Sequence, residues 1–208
     1  MKYWILIGLL SLRSFAFAGE TIGNDCPRLQ LVLDPQLSAD VVDQAWASGE
    51  SPMATPAVLA LFGCKGEVLD RLSLAAPLAR LDPIPLRGTH VRTYLVTVDL
   101  TASAGSYSGP LTMPVEIINH QIKLAKARAA NGRSEQINLA LTGKAAWKKL
   151  VVNSHDDLFA VRCQPTGKGF KTTYYHYRST RHGWKVQMRS ESGFWESDDE
   201  FPSLKHFP

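Results

Sequence analysis

Residues 184–190 read Trp-Lys-Val-Gln-Met-Arg-Ser, a strict alternation of apolar and polar side chains. In an extended strand, successive side chains point to opposite faces of the sheet. Trp184, Val186 and Met188 therefore share one apolar face, and the residues between them share a face suited to water. This stretch predicts a β-strand that covers a hydrophobic core on one side.

The preceding stretch, residues 170–178, is also strand-like and is rich in tyrosine. Arg-His-Gly at 181–183 separates the two stretches and predicts a hairpin. Tyr175 and Tyr177 share one face, and Tyr174, His176 and Arg178 share the other. One face belongs to the core, while the other presents tyrosine beside arginine, a combination enriched at binding hot spots. The candidate binding residues are Tyr107, Tyr175, Tyr177, Arg178 and Arg181.

Extended segments separated by turn residues continue back to His90. Glycine, asparagine and proline punctuate them, and the short connections favour antiparallel neighbours. We expect a β-rich α+β fold built mainly of antiparallel meander sheets, with a sandwich left open as their arrangement. One or two short helices are expected in the N-terminal part.

The N-terminal part contains the helix candidate. Residues 38–47 place valine, alanine and tryptophan at helical spacing behind Ser38, which suits a helix N-cap. Residues 57–64 and 67–74 flank a Lys-Gly dipeptide and predict a hairpin. A helical interpretation of either arm stays open, because short apolar runs are ambiguous.

Pro83 and Pro85 separate those segments from the meander. Proline has no N–H donor, so this stretch suits neither a helix interior nor a central strand. We therefore expect an N-terminal mixed segment at 19–87 and a β-meander region at 88–208. The two form either separate domains or parts of one domain.

The first eighteen residues have the features of a secretory signal peptide. Lys2 provides a positive charge, residues 4–10 form an apolar run, and Ala-Phe-Ala at 16–18 fits the small-x-small cleavage rule. The apolar run is shorter than the ~20 residues that a spanning helix needs. We expect cleavage after Ala18 and a periplasmic or secreted chain, with no stable membrane insertion after cleavage.

The charge of the chain argues against a nucleic-acid partner. The full sequence has a formal net charge of +4. Lys2 and Arg13 both lie in the predicted signal, which has no acidic residue, so the charge of the remaining chain is +2. A nucleic-acid-binding protein normally carries a strong basic patch. We therefore expect no nucleic acid as a partner.

Three cysteines are present: Cys26, Cys64 and Cys163. In an exported protein an odd number predicts one disulfide and one remaining thiol. We favour a Cys26–Cys64 disulfide, because both residues lie in the N-terminal third, and the other pairings stay open. Cys163 continues the alternation of a strand and is expected to be a small buried side chain. The sequence has no Cys-x-x-Cys motif for redox or zinc chemistry.

Gly-Ser-Tyr-Ser-Gly at 105–109 raises the question of a catalytic or phosphate-binding loop. A nucleophile elbow has a central serine between a strand and a helix, whereas Tyr107 is central here and Pro110 leads into an extended pattern. A phosphate loop requires a lysine and a hydroxyl residue before a helix, and both are missing. The segment predicts a hairpin connection instead.

Ser-His-Asp-Asp at 154–157 contains the residue types of a catalytic triad side by side. Triads are assembled in space from separated segments, so this stretch predicts a turn. The six histidines are scattered and match no metal-binding spacing. We predict no catalytic residue, cofactor or metal.

These observations favour a non-enzymatic exported protein that binds another envelope or secreted protein, such as an accessory factor, an inhibitor or an immunity-type protein. A flat surface of tyrosine and arginine would support it. One alternative is a hydrolase with a site assembled from scattered residues such as Ser108, His120, His155 and Asp157. The other is a binder of a small molecule or polysaccharide in a shallow aromatic groove.

Overall fold

A computed structural model describes residues 26–35, 38, 40–41, 44, 56–99, 105–198 and 200–208. The elements that lie entirely within these residues are fourteen β-strands and one short 3-10 helix at Leu204–His206. The strands are β1 (Arg28–Val32), β2 (Val58–Phe62), β3 (Val68–Ser73), β4 (Ala79–Leu81), β5 (Thr93–Val98), β6 (Leu111–Ile118), β7 (Gln121–Leu124), β8 (Lys126–Arg128), β9 (Ser134–Gln136), β10 (Leu139–Ala140), β11 (Ala145–Val152), β12 (His155–Thr166), β13 (Gly169–Thr180) and β14 (Gly183–Ser192).

The strands form three sheets, which we call A, B and C. Sheet A has the order β1-β2-β3, and sheet B has the order β10-β6-β5-β4 with β7 paired to β6. Sheet C has the order β11-β12-β13-β14-β8-β9. The pairings between these strands are antiparallel except for that of β14 with β8, which is parallel. The β-rich, mainly antiparallel architecture is therefore confirmed.

The one or two predicted short helices are not confirmed. The ambiguous arms at 57–64 and 67–74 contain the antiparallel strands β2 and β3. β2 is the central strand of sheet A and its middle residues Leu59, Ala60 and Leu61 are all buried. Burial on both faces produces a continuous apolar run that periodicity cannot distinguish from a helix.

Most of the other helix candidate, residues 38–47, lies outside the described residues. Ser38 and Val41 are described, and the Val41 backbone N–H donates to Ser38 Oγ at 3.3 Å. That contact has the spacing of an N-cap hydrogen bond. It does not establish the predicted helix.

Sheets A and B enclose the first hydrophobic core. Leu59 and Leu61 of β2 pack in one cluster with Val96 of β5 and Val115 of β6. All four are fully buried. The central position of β2 and β5 in their sheets explains why their side chains reach the middle of this core.

Sheets B and C enclose the second core. Leu95, on the opposite face of β5 from Val96, joins a cluster with Leu158, Tyr177 and Trp184 of sheet C. β5 therefore has apolar side chains in both cores. This explains why nearly all of its residues are buried. The inward-facing Trp184 confirms the apolar face predicted from the alternation at 184–190.

The chain after β14 covers part of the outer face of sheet C. Trp195 and Phe207 are buried in a third cluster with Phe159, Val161 and Tyr174. The ring of Phe207 meets that of Phe159 edge to face, with centroids 5.2 Å apart. Such aromatic pairs add to the stabilisation from buried area. Cys163 is 1% exposed in the same cluster, so the expectation of a buried thiol is confirmed.

The connection between β5 and β6 contains the Gly-Ser-Tyr-Ser-Gly sequence, as predicted for a hairpin. Gly105 has φ of 122°, a region that favours glycine. A side chain at Gly109 would clash with the Leu141 carbonyl oxygen, so the close approach of the loop to β10 requires glycine. Backbone geometry thus explains both glycines.

The Ser-His-Asp-Asp sequence at 154–157 is only partly a turn. Asn153 and Ser154 have φ of 50° and 68° and connect β11 to β12. Two successive residues in this region form the tight hairpin turns that match the twist of the strands. Asp156 and Asp157 lie within β12 and are buried.

The predicted boundary at 87/88 lies in the connection between two paired strands. β4 precedes it and β5 follows it, and both belong to sheet B. Arg87 attaches this connection to sheet C, because its backbone N–H and its guanidinium both donate to the Asp156 carboxylate. Burial of Asp156 opposes ionisation, but these bonds outweigh it and lower the pKa of that carboxyl.

The predicted signal peptide at 1–18 lies outside the described residues. Among the residues that are described, none belongs to a helix with the length and apolar character needed to cross a bilayer.

Candidate functional site

The β13–β14 hairpin positions the side chains around a groove on the inner face of sheet C. Tyr175 is paired with Met188 and Tyr177 with Val186 across this hairpin. Paired residues project to the same face of a sheet. The sequence alternation in both strands therefore places two tyrosines beside two apolar side chains.

This groove, which we call the tyrosine groove, is a cavity of about 270 Å³. Sheet B covers the inner face of sheet C around Trp184, while Met188 remains 51% exposed. The described residues that line the cavity are Ala127, Ala129, Asn131, Arg133, Glu135, Gln136, Arg162, Tyr175, Tyr177, Val186 and Met188.

The tyrosines are held in a fixed arrangement. The rings of Tyr175 and Tyr177 are nearly parallel, with an interplanar angle of 3° and centroids 5.9 Å apart. The guanidinium of Arg162 lies over the Tyr175 ring, 5.4 Å from its centroid, and also donates to the Asn138 carbonyl oxygen. A cation over a ring face is an attractive contact. The groove therefore offers preorganised aromatic and cationic surface.

Burial raises the pKa of Tyr177 to about 12. This shift moves the pKa further from neutral pH, so the hydroxyl suits a hydrogen-bonding or packing role better than proton transfer. Arg133 and Glu135 border the same groove and are exposed.

A second groove lies over the outer face of sheet C, and we call it the cationic groove. It is a cavity of about 670 Å³. Arg178 belongs to β13, Lys185 to β14 and Arg128 to β8. The described residues that line it are Arg128, Ala129, Ala130, Gly132, His176, Arg178, Thr180, Lys185, Val186 and Gln187.

Asp157 is the buried acceptor that fixes two side chains of the cationic groove. Its Oδ2 lies 2.7 Å from His176 Nε2 and 2.7 Å from Arg178 Nε. The other ring nitrogen of His176 lies 3.2 Å from the carbonyl oxygen of Pro208. Because the Asp157 side chain is fully buried, these partners compensate a charge that would otherwise be costly.

A third polar cluster links sheets B and C. Ser179 Oγ lies 3.1 Å from His90 Nδ1, and His90 Nε2 lies 3.4 Å from Glu116 Oε1. These are the residue types of a hydrolase triad. However, Ser179 is 4% exposed and also accepts a hydrogen bond from the His90 backbone N–H. This hydroxyl is therefore buried and lines neither groove.

The structure divides the predicted binding residues between different surfaces. Tyr175 and Tyr177 line the tyrosine groove, and Arg178 lines the cationic groove. Tyr107 is 54% exposed in the β5–β6 connection and lines neither. Arg181 lies in the β13–β14 turn, where its Nε donates to His182 Nε2 at 2.9 Å.

The predicted Cys26–Cys64 disulfide is not formed in the structure. Both cysteines are free and exposed. Their side chains nevertheless lie 2.8 Å apart. A hydrogen bond with Cys26 is the main reason that the pKa of the Cys64 thiol is raised. The sequence thus predicted the proximity of the two residues, while the bond is absent.

The scattered residues of the hydrolase alternative lie on three separate parts of the fold, and of the four only His155 and Asp157 share a strand. Ser108 belongs to the β5–β6 connection, His120 to the β6–β7 turn and His155 to the start of β12. Asp157 is paired with His176 and Arg178 instead. Among the described residues, no group of three or more histidine, cysteine, aspartate or glutamate side chains is arranged to hold a metal ion.

Sequence reasoning missed Arg162 and Met188 as groove residues and missed the cationic groove. The alternation at 184–190 contained part of the signal, because it placed Met188 on the apolar face and Lys185 on the other. The contribution of Arg128 had no local signal, since it depends on the parallel pairing of β8 with β14.

Comparison of the chain with models of known protein families, with curated proteins and with solved structures finds no match.

Proposed function

We propose that this protein is a non-enzymatic binding factor that acts outside the cytoplasm and receives a protruding segment of another exported protein in the tyrosine groove. The observation that carries the proposal is the open groove that combines Tyr175, Arg162 and the half-exposed Met188. Aromatic residues, arginine and methionine are the types enriched in the cores of protein interfaces.

Preorganisation supports this assignment. The ring of Tyr175 is held between Tyr177 and Arg162, and the strands around it form a continuous hydrogen-bonded sheet. Side chains that are already fixed lose little conformational entropy when a partner binds. A partner side chain packed against Tyr175 and the half-exposed Met188 gains apolar contact without ordering the groove first.

The size of the groove favours a protein segment over a whole small ligand. About 270 Å³ lies just below the volumes of roughly 300–1,000 Å³ that are typical of enclosed small-molecule sites. It is large enough for one or two side chains of a partner. The polysaccharide alternative is the second candidate, because an aromatic groove is the kind of site that we expected for it, and the stacked rings of Tyr175 and Tyr177 line such a groove.

The test compares capture by the wild-type protein with capture by two groove variants. Purified protein is immobilised and exposed to envelope and secreted extract, and bound proteins are identified by mass spectrometry. We expect one stoichiometric protein that is lost with both Tyr175→Ala and Met188→Lys. Tyr107→Ala is the control, since Tyr107 is exposed but outside the groove.

Two results would exclude the proposal. Capture that is equal for wild type and both groove variants places the binding surface elsewhere. If no protein is captured and an oligosaccharide array instead binds wild type but not Tyr175→Ala, the groove is a carbohydrate site. Circular dichroism and thermal unfolding of each variant confirm that the fold is intact.

Export would place the cysteine pair in an oxidising compartment. We propose that Cys26 and Cys64 become a disulfide after export, which their 2.8 Å separation supports. Oxidation would release two protons and pass two electrons to a disulfide oxidant such as oxidised glutathione. Disulfides persist in such compartments, so the cross-link would secure the start of sheet A.

A further inference from the structure

We propose that the cationic groove binds a phosphate group. Arg178 is the Cα partner of Lys185, and Lys185 is the Cα partner of Arg128. The three cations therefore form one row across β13, β14 and β8. Neighbouring strands lie about 4.8 Å apart, so the row spans roughly 10 Å.

This row is electrostatically unfavourable in the free protein. Like charges on directly paired residues destabilise a sheet. Asp157 compensates Arg178, but across the described residues no carboxylate lies within ion-pair distance of Lys185 or Arg128. Within the row, Arg178 alone has a carboxylate partner among the described residues, so its charge is compensated and those of Lys185 and Arg128 are not. An anion in the groove would remove this repulsion.

The rest of the face lacks such a row. Further along β14, Arg189 is ion-paired with Glu191 at 2.9 Å. On the same face, the chain after β14 covers Tyr174 and Phe159 with apolar side chains. The unpaired charge is thus concentrated where the cavity of about 670 Å³ is found.

A phosphate group fits this arrangement better than a single carboxylate. It carries up to two charges and has several acceptor oxygens that can meet cations from different strands. The guanidinium fork suits phosphate oxygens, and lysine supplies a compact charge between the two arginines. Arg178 is already oriented by Asp157 through two bonds. The cavity volume falls within the range of small-ligand sites.

The test titrates inorganic phosphate and follows backbone amide resonances by NMR, with sodium chloride at matched ionic strength as the reference. We expect saturable shifts at Arg128, Arg178 and Lys185. Lys185→Gln should weaken phosphate binding by about tenfold or more, since a charge-assisted bond is worth ~1.5–3 kcal/mol. Arg189→Gln is the matched control and should change it by less than about twofold, because its charge is already paired.

A second arm distinguishes a free phosphate from a lipid headgroup. Vesicles of phosphatidylglycerol and of phosphatidylcholine are compared by flotation with the same three proteins. Binding to phosphatidylglycerol alone, lost in Lys185→Gln and kept in Arg189→Gln, would make the headgroup the source. Saturable phosphate binding without vesicle binding would make a free phosphate compound the source.

The melting temperatures of the variants test whether the row of cations is repulsive in the free protein. Without phosphate, Lys185→Gln and Arg128→Gln should melt at or above the wild-type temperature, because each removes repulsion. The proposal is overturned if wild type and Lys185→Gln respond equally to both probes, or if neither probe binds wild type. Lower melting temperatures in both variants would contradict the repulsion on which it rests.

Discussion

Trp184 of sheet C donates from Nε1 to Oε1 of Glu116 in sheet B, at 3.1 Å, in the buried space between the two sheets. Glu116 is 7% exposed. Burial raises the pKa of the Glu116 carboxyl, and the nearby His90 and the bond from Trp184 oppose this only in part. The contact that joins the two sheets therefore contains a carboxyl whose environment favours the protonated form.

Glu116→Gln should remove a pH dependence of stability. A folded pKa above the unfolded one means that the stabilisation is full below the unfolded pKa of about 4.3 and is lost as the pH rises through the folded pKa. Glutamine still accepts the bond from Trp184 but carries no charge. We expect the free energy of unfolding of the variant to be flatter than that of wild type across this window, and at least equal to it at pH 7.

Urea unfolding at a series of pH values measures this effect. Glu135→Gln is the control, because Glu135 is exposed and should leave the wild-type profile unchanged. Parallel profiles for wild type and Glu116→Gln would show that this carboxyl has the same pKa in the folded and unfolded chains.

Asp157→Asn should destabilise the protein by about 3 kcal/mol or more, the usual cost of breaking a buried ion pair. The variant leaves His176 and Arg178 without their common anionic partner. Chemical denaturation measures the loss. Asp198→Asn makes the same change of charge at an exposed position and should cost less than about 0.5 kcal/mol. If the two substitutions reduced the free energy of unfolding equally, Asp157 would have no special role in stability.

Tyr175→Ala should weaken binding of the captured partner by at least about 30-fold, since truncating an aromatic hot spot costs about 2 kcal/mol or more. Isothermal titration with the identified partner measures the affinity. Arg181→Gln, on a surface turn outside the groove, should stay within about threefold of wild type. If Arg181→Gln weakened binding more than Tyr175→Ala, the binding surface would include the β13–β14 turn and not the tyrosine groove.

Oxidation should join Cys26 to Cys64 and leave Cys163 as a thiol. After exposure to oxidised glutathione, we expect no thiol reactive with a maleimide in the native protein and one after unfolding, because Cys163 is 1% exposed. The cross-link should stabilise the protein by roughly 3–4 kcal/mol on the chain-entropy estimate. Cys26→Ser should prevent it and leave Cys64 reactive. A reactive Cys64 in oxidised wild type would exclude the pairing.

The sequence predicted the strands with alternating patterns and the faces of their side chains. In β14 the alternation correctly separated Trp184, Val186 and Met188 from Lys185, because each strand residue has only two possible directions. The β5–β6 connection was also predicted from the sequence, because the residues around Gly105 and Gly109 match neither a nucleophile elbow nor a phosphate loop.

Features that depend on the pairing of distant segments could not be predicted from the sequence. The pairing of β8 with β14 joins residues more than fifty positions apart and has no local pattern that indicates it. The row from Arg178 to Arg128 therefore appeared only in the fold. The openness of the tyrosine groove likewise depends on where sheet B stops covering sheet C, which a single strand pattern does not contain.

The two-sided burial of β5 has a consequence for how the protein opens. Val96 points into one core and its neighbour Leu95 into the other. Separating sheet A or sheet C from sheet B would expose apolar side chains on one side of this strand. Opening either core alone would therefore cost free energy. Amide hydrogens of β5 should therefore exchange with solvent only through the rarest, global openings, and their rate would report the cooperativity of the whole fold.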